Sequence, residues 1–192
     1  VDSYDSNLTK GTTSSLSKAR SSIAATAVGN YALFGGGYDN HVLNTVDSYN
    51  SNLTRGTPPP LSKVSSSLAA TTVGNYALFG GGEDGTSDYQ SNVDSYDSNL
   101  TKGTPYTLSM PRSQLSATTV GNYALFGGGY RNGSRSTVDS YDSNLTRGIV
   151  TELSHTRYAT DATTVGNYAL FGGGEDDTSD YQSNVDSYTL VE

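Results

Sequence analysis

An all-β repeat fold is predicted, on three observations. The stretch Val-Gly-Asn-Tyr-Ala-Leu-Phe-Gly-Gly-Gly occurs at Val28–Gly37 and returns unchanged at Val73–Gly82, Val120–Gly129 and Val165–Gly174. Each copy is an apolar run of strand formers closed by three glycines, which would end any helix. A second motif, Val-Asp-Ser-Tyr, begins at Val1, Val46, Val93, Val138 and Val185, in steps of 45, 47, 45 and 47 residues. From each of its first four copies to the next long motif the distance is always 27 residues. The two motifs therefore keep one phase, and all length variation falls between the triple glycine and the next Val-Asp-Ser-Tyr.

That variable segment has eight residues at Tyr38–Thr45 and Tyr130–Thr137, and ten at Glu83–Asn92 and Glu175–Asn184. Short and long alternate, so the true period is 92 residues made of two unlike repeats. Within a repeat, Ser67–Val73 is small and partly β-branched, suited to a crowded inner strand. Gly74-Asn75 is a tight-hairpin pair leading into the strand Tyr76–Phe79. Thr45–Tyr49 alternates apolar and polar residues, as a half-buried strand does. Asn52–Thr57 is a polar outer strand, and Pro58-Pro59-Pro60 beyond it cannot donate ladder hydrogen bonds, so it belongs at an edge or in a loop. Four short antiparallel strands at this period read as propeller blades, with glycines where backbones crowd near a central channel. A parallel β-helix with two coils per period is the structural alternative.

The chain reads as one domain, 1–192, with repeats starting near 1, 46, 93 and 138 and a final partial repeat at 185–192. It starts inside a motif and without Met, which reads as an excerpt or a processed product. The Val1–Leu16 segment is expected to complete the blade begun by Ser154–Gly174, leaving one Val-Asp-Ser-Tyr strand spare, either Val1–Tyr4 or Val185–Tyr188. Three arrangements follow: a closed four-bladed ring, half of an eight-bladed homodimer joined through the spare strand, or a section of a longer array.

Of the 192 residues, 33% are hydrophobic, with 15 Tyr, four Phe and no Trp. The net charge of −8 argues against nucleic acid and anionic lipid as partners. No run approaches the ~18 apolar residues of a membrane span, and no signal peptide is evident. With no Cys, there is no disulfide framework and no thiolate metal site, and the compartment stays open.

Tyr123-Ala124-Leu125-Phe126-Gly127-Gly128, Val138-Asp139-Ser140-Tyr141-Asp142, Asn144-Leu145-Thr146 and Leu108-Ser109-Met110-Pro111-Arg112 together resemble a kelch repeat. The linking arginine recurs at Arg20 and Arg157, with Ser65 in its place in the second repeat. The resemblance covers the whole chain and implies a propeller, commonly of six or seven blades. The usual outer-strand Trp is missing, and Leu8, Leu53, Leu100 and Leu145 are expected to fill its space. The wording is similar to bacterial kelch-like arrays, which favours an extracellular or cell- or phage-surface setting. Copper oxidases with kelch propellers need a Tyr–Cys crosslink, which a chain without Cys lacks.

The variable loops are the expected binding elements, on the same face as the links between blades. Candidate ligand-binding residues are Tyr38, Asp39 and His41; Glu83, Asp84, Asp88 and Tyr89; Tyr130, Arg131 and Arg135; and Glu175, Asp176, Asp180 and Tyr181. Asp177 lies among them. Their carboxylates are close enough in sequence to hold Ca²⁺, although no Asp-x-Asp-x-Asp-Gly loop is present. Plain solvated loops are the simpler reading. His41 and His155 show no metal-binding spacing, no Gly-x-Ser-x-Gly elbow appears, and the glycine triplets precede no helix, so they are not phosphate loops. Arg20, Arg112 and Arg157 read as internal hydrogen-bond anchors. Asn-Leu-Thr at Asn7, Asn52, Asn99 and Asn144, and Asn132-Gly-Ser, are glycosylation sequons by pattern and turns by the simpler reading. The expected function is a non-enzymatic binding or structural scaffold for a protein or carbohydrate partner, with no resident cofactor. The alternatives are a calcium-dependent lectin or glycan-processing enzyme domain, and an engineered repeat propeller with no natural ligand.

Overall fold

The computed structural model describes residues 1–86 and 88–190. Among them every regular element is a strand. A ribbon of β1 (Ser3–Tyr4) and β2 (Lys10–Gly11) comes first. The first sheet holds β3 (Ala24–Val28), β4 (Tyr31–Gly35), β7 (Val46–Tyr49) and β8 (Arg55–Gly56), with a small hairpin of β5 (Tyr38–Asp39) and β6 (His41–Val42) inserted. The second sheet is β9 (Ala69–Val73), β10 (Tyr76–Gly80), β11 (Val93–Tyr96) and β12 (Lys102–Gly103). The third is β13 (Ser116–Val120), β14 (Tyr123–Gly127), β15 (Val138–Asp142) and β16 (Arg147–Ile149). The fourth has only three strands, β17 (Asp161–Val165), β18 (Tyr168–Gly172) and β19 (Val185–Thr189). All pairings are antiparallel, and the same register recurs: Leu78 faces Ser95 and Leu125 faces Ser140.

The sheets stack face to face, so the core is a series of interfaces. Between the first two sheets, Val28, Leu33 and Val46 meet Ala77, Phe79 and Tyr96. Val73, Leu78 and Val93 meet Ala124, Phe126 and Tyr141 at the next, and Val120, Leu125 and Val138 meet Ala169 and Phe171 at the third. One face of each sheet thus carries Val and Leu, and the other carries Ala, Phe and Tyr. A Cβ at Gly35, Gly80 or Gly127 would lie 2.8, 3.0 or 2.7 Å from the Phe ring of the next sheet. This close approach is the reason the YALF strand ends in glycine. Inner strands are joined by hydroxyl pairs, Thr26–Thr72, Thr71–Thr119 and Thr118–Thr164, at 2.8 to 2.9 Å.

Val-Asp-Ser-Tyr is not half-buried as its alternation predicts. At Val46, Val93 and Val138 all four residues are buried, because the next sheet covers the valine and the link before each sheet bonds to the aspartate and tyrosine on the other face. The buried aspartates are neutralised from the link that precedes their own sheet: Asp47 pairs with Arg20 at 2.8 Å and Asp139 with Arg112 at 2.9 Å. These arginines also donate to Phe34 O and Phe126 O, as hydrogen-bond anchors would. Where Ser65 replaces arginine, Asp94 instead accepts from Ser62 and pairs with Lys102 at 3.1 Å.

The expected stand-ins for the missing Trp lie elsewhere. Leu8, Leu53, Leu100 and Leu145 occupy turns after Val-Asp-Ser-Tyr, not the outer strand, with left-handed φ of 59° to 63°. Such a φ is unfavourable for leucine. It is held by the preceding Asp or Asn: Asp97 Oδ1 accepts from the N–H groups of Asn99 and Thr101. Leu100 and Leu145 pack against the first and second interface cores.

The expected four-membered closed ring is not found. Inner-strand packing runs β3 to β9, β9 to β13 and β13 to β17, and β17 is exposed along most of its length. Nor does the Val1–Leu16 segment complete the last sheet. Val185–Thr189 pairs with β18 there, and Val1–Tyr4 is the spare strand.

Candidate binding rim

Each variable loop begins where two left-handed glycines turn the chain out of its sheet, as at Gly81 (φ 74°) and Gly82 (φ 97°). The next residue pairs with the link that precedes the same sheet: Tyr38 with Ser21, Glu83 with Ser66, Tyr130 with Ser113 and Glu175 with Tyr158. Loops and links therefore share one rim. The loops also touch their neighbours. A Cβ at Gly85 would sit 2.8 Å from Val42 of the first loop. Tyr89 of the second loop lies 6.2 Å, ring to ring, from Tyr130 of the third. Ser134 of the third loop donates its N–H to Asp177 Oδ1 of the fourth at 2.6 Å.

The candidate residues do not form one cluster. Tyr89 and Tyr130 come together with Tyr158, whose ring is 5.3 Å from that of Tyr130 in an edge-on arrangement. Tyr158 and Glu175 exchange two backbone hydrogen bonds at 3.0 Å, and the Glu175 carboxylate beside the ring, more than burial, raises the Tyr158 hydroxyl pKa above the ordinary value. All three rings are half-buried. Tyr38, Asp39 and His41 lie on the β5–β6 hairpin of the first loop, and no aromatic pair among the described residues joins Tyr38 to the cluster. Tyr181 is 88% exposed. Arg131 and Arg135 are bonded to each other within their loop, Arg135 Nη2 donating to Arg131 O.

Most of the acidic candidates have a structural task. Asp84 Oδ1 accepts from Thr86 N–H at 2.9 Å, Thr86 Oγ1 at 2.7 Å and Asp88 N–H at 3.3 Å. Asp176 Oδ1 accepts the same set from Thr178 and Asp180, and its Oδ2 accepts from Gln182 at 2.8 Å. These bonds hold both carboxyl groups below the usual range, the Thr86 N–H contributing most at Asp84 and the Thr178 hydroxyl at Asp176. Asp88 and Asp180 close the same turns through their backbone. Among the described residues, no three potential ligands converge on one point for a metal ion. Tyr158 was absent from the sequence-derived set. Its signal was available, because it stands where the other links carry Ser21, Ser66 and Ser113.

No family model matches this chain, and no curated protein matches it. A solved structure described as "Structure of YjhT" superposes on 88% of the chain with a TM-score of 0.73 and 14% sequence identity. This chain spans 66% of that one, just under two thirds of its length. At this identity the likeness is one of fold: repeated four-stranded antiparallel sheets, in a chain otherwise built of turns and loops.

Proposed function

We propose that the chain is a non-catalytic binding scaffold, a kelch-like propeller array whose rim holds a protein or glycan partner at a cell or phage surface. The tyrosine row Tyr89–Tyr130–Tyr158, with Glu175 paired to Tyr158 through the backbone, carries this reading. Three rings from consecutive repeats offer apolar contact area with polar tips. Glu175 and Asp177 add acceptors for sugar hydroxyls or peptide N–H groups. The sheets beneath hold these groups in place through buried Arg–Asp pairs. The in-phase Gly-Gly and Tyr-Asp elements and the shared fold support the propeller part.

The experiment is a glycan array and a displayed-peptide library, each screened with and without calcium, using the native chain and Tyr130→Ala. The expected result is a ligand from one library whose affinity falls about tenfold or more in Tyr130→Ala, with the melting curve little changed. Binding that needs calcium would select the lectin reading. Hydrolysis of a glycan would replace the scaffold with a glycan-processing enzyme. Silence in both libraries would leave a repeat array without a natural ligand.

A further inference from the structure

Each variable loop forms single bridges with its link and with its own far end, and residues paired across strands share one face. In the second repeat Glu83 pairs with Tyr89, in the third Tyr130 pairs with Ser113, and in the fourth Glu175 pairs with Tyr158. Glu83 and Tyr89 stand between two backbone bonds, Asp84 N–H to Asp88 O and Gln90 N–H to Gly82 O, and exchange none themselves. In a pair of that type the side chains come closest. The ring steps from Tyr89 to Tyr130 and from Tyr130 to Tyr158 are 6.2 and 5.3 Å. One strip therefore runs Glu83, Tyr89, Tyr130, Tyr158, Glu175 along the rim from the second sheet to the fourth. It has a carboxylate at each end, and along its contacts it is on the order of 20 Å long.

The polar groups of this strip are not absorbed by the fold. Asp84 and Asp176, next in sequence to the two glutamates, are held by turn N–H groups. Glu83 and Glu175 are half-buried, and among the described residues neither forms an ion pair. Arg131 and Arg135, the cations of the third loop, pair with neither of them. Midway along the strip, Ser113 shares the face of Tyr130. It is 1% exposed, and its hydroxyl has no hydrogen-bond partner among the described residues. Buried hydroxyls nearly always have one, so this group marks a place for a polar atom of a ligand.

We propose that this strip binds a linear aliphatic chain carrying several ammonium groups, as the lysine side chains of an extended peptide or a free polyamine present them. The proposal rests on the scaffold reading of the same rim and names its ligand chemistry. Ammonium groups meet Glu83 and Glu175 at the two ends. The methylenes between them lie on the tyrosine rings, whose faces attract any further charge along the chain. An N–H of the chain donates to the Ser113 hydroxyl. A neutral or anionic glycan would cover two half-buried carboxylates without neutralising them, which is unfavourable. The net charge of −8 draws any cation towards the protein. The strip adds a selection by length, because only a long chain joins both carboxylates.

Isothermal titration calorimetry at physiological ionic strength tests it, using the full chain with spermine, an extended lysine-glycine peptide and the short diamine cadaverine. Spermine or the peptide is expected to bind one to one, and cadaverine about tenfold or more weakly, since it cannot reach both ends. Glu83→Gln and Glu175→Gln keep the side-chain shape and break no ion pair, so the melting curve should not move. Each should weaken binding about tenfold or more. Asp2→Asn removes the same charge outside the strip and should change binding about twofold or less. A tighter peptide would identify a protein partner and tighter spermine a small-molecule ligand, and either supports the proposal. Absence of binding by both would overturn it. So would binding that both glutamine variants leave unchanged, or that Asp2→Asn weakens as much. The scaffold reading outlives that failure if a ligand from the glycan or peptide library still depends on Tyr130, and falls with it if none does.

Discussion

Val138-Asp139-Ser140-Tyr141 and Val1-Asp2-Ser3-Tyr4 are the same four residues in two settings. In the third sheet Val138, Asp139 and Tyr141 have no exposed surface. In the N-terminal ribbon Val1 is 46% and Tyr4 62% exposed, and Asp2 forms a surface pair with Lys10. The difference teaches that the motif does not carry its own burial. A repeat unit has two apolar faces and can cover neither alone, so its stability comes from the sheets on either side.

Substitutions at matched positions sharpen this comparison, best measured by urea unfolding at concentrations where the chain is monomeric. Asp139→Ala leaves Arg112 buried and uncompensated, and is expected to cost about 3–5 kcal/mol. Asp2→Ala removes only an exposed pair and should leave the unfolding midpoint where it was. Equal effects at the two positions would break the comparison. Phe126→Ala empties the ring that fills the space over Gly80, at a cost of about 3–5 kcal/mol. Phe34→Ala, with no preceding sheet to fill, should cost about a third of that or less.

A smaller effect at neutral pH comes from tyrosine hydroxyls. Burial raises the pKa of Tyr141 and pushes Tyr188 up to about 12, with the nearby aspartates adding to both shifts. The folded pKa lies above the unfolded value of about 10, so the folded state holds these protons more tightly. This contribution is complete below pH ~10 and is lost as pH rises above it. Alkaline titration of stability should therefore fall from about pH 10 upward, and more gently in Tyr141→Phe. That variant gives up the hydrogen bond to Tyr106 O, worth about 0.5–1.5 kcal/mol at pH 7. A slope identical to that of the native chain would show that Tyr141 is not the titrating group.

Much of the fold was legible because its signals are local. Strand formers, Gly-Asn turns and glycine triplets act over a few residues, and their constant phase revealed the sheet repeat. The rim was legible as a place, since length differences fall only after each triple glycine. Its chemistry was less so. Asp84 and Asp176 look like free carboxylates in sequence, but local N–H groups and a threonine hydroxyl occupy the oxygens. Tyr158 belongs to the cluster because its link folds back onto Glu175, a pairing 17 residues away that no short-range pattern announces.

Repetition in the chain specifies the strands, their order, their turns and the two apolar faces of each sheet, because these follow from backbone preference and alternation. Assembly in space settles the rest. It buries the aspartates against arginines 27 residues away, as in Asp47 and Arg20. It sets leucines in left-handed turns and seats β19, not β1, beside β18. Identical motifs cannot specify which copy ends in which seat. That choice rests on what each sheet finds beside it.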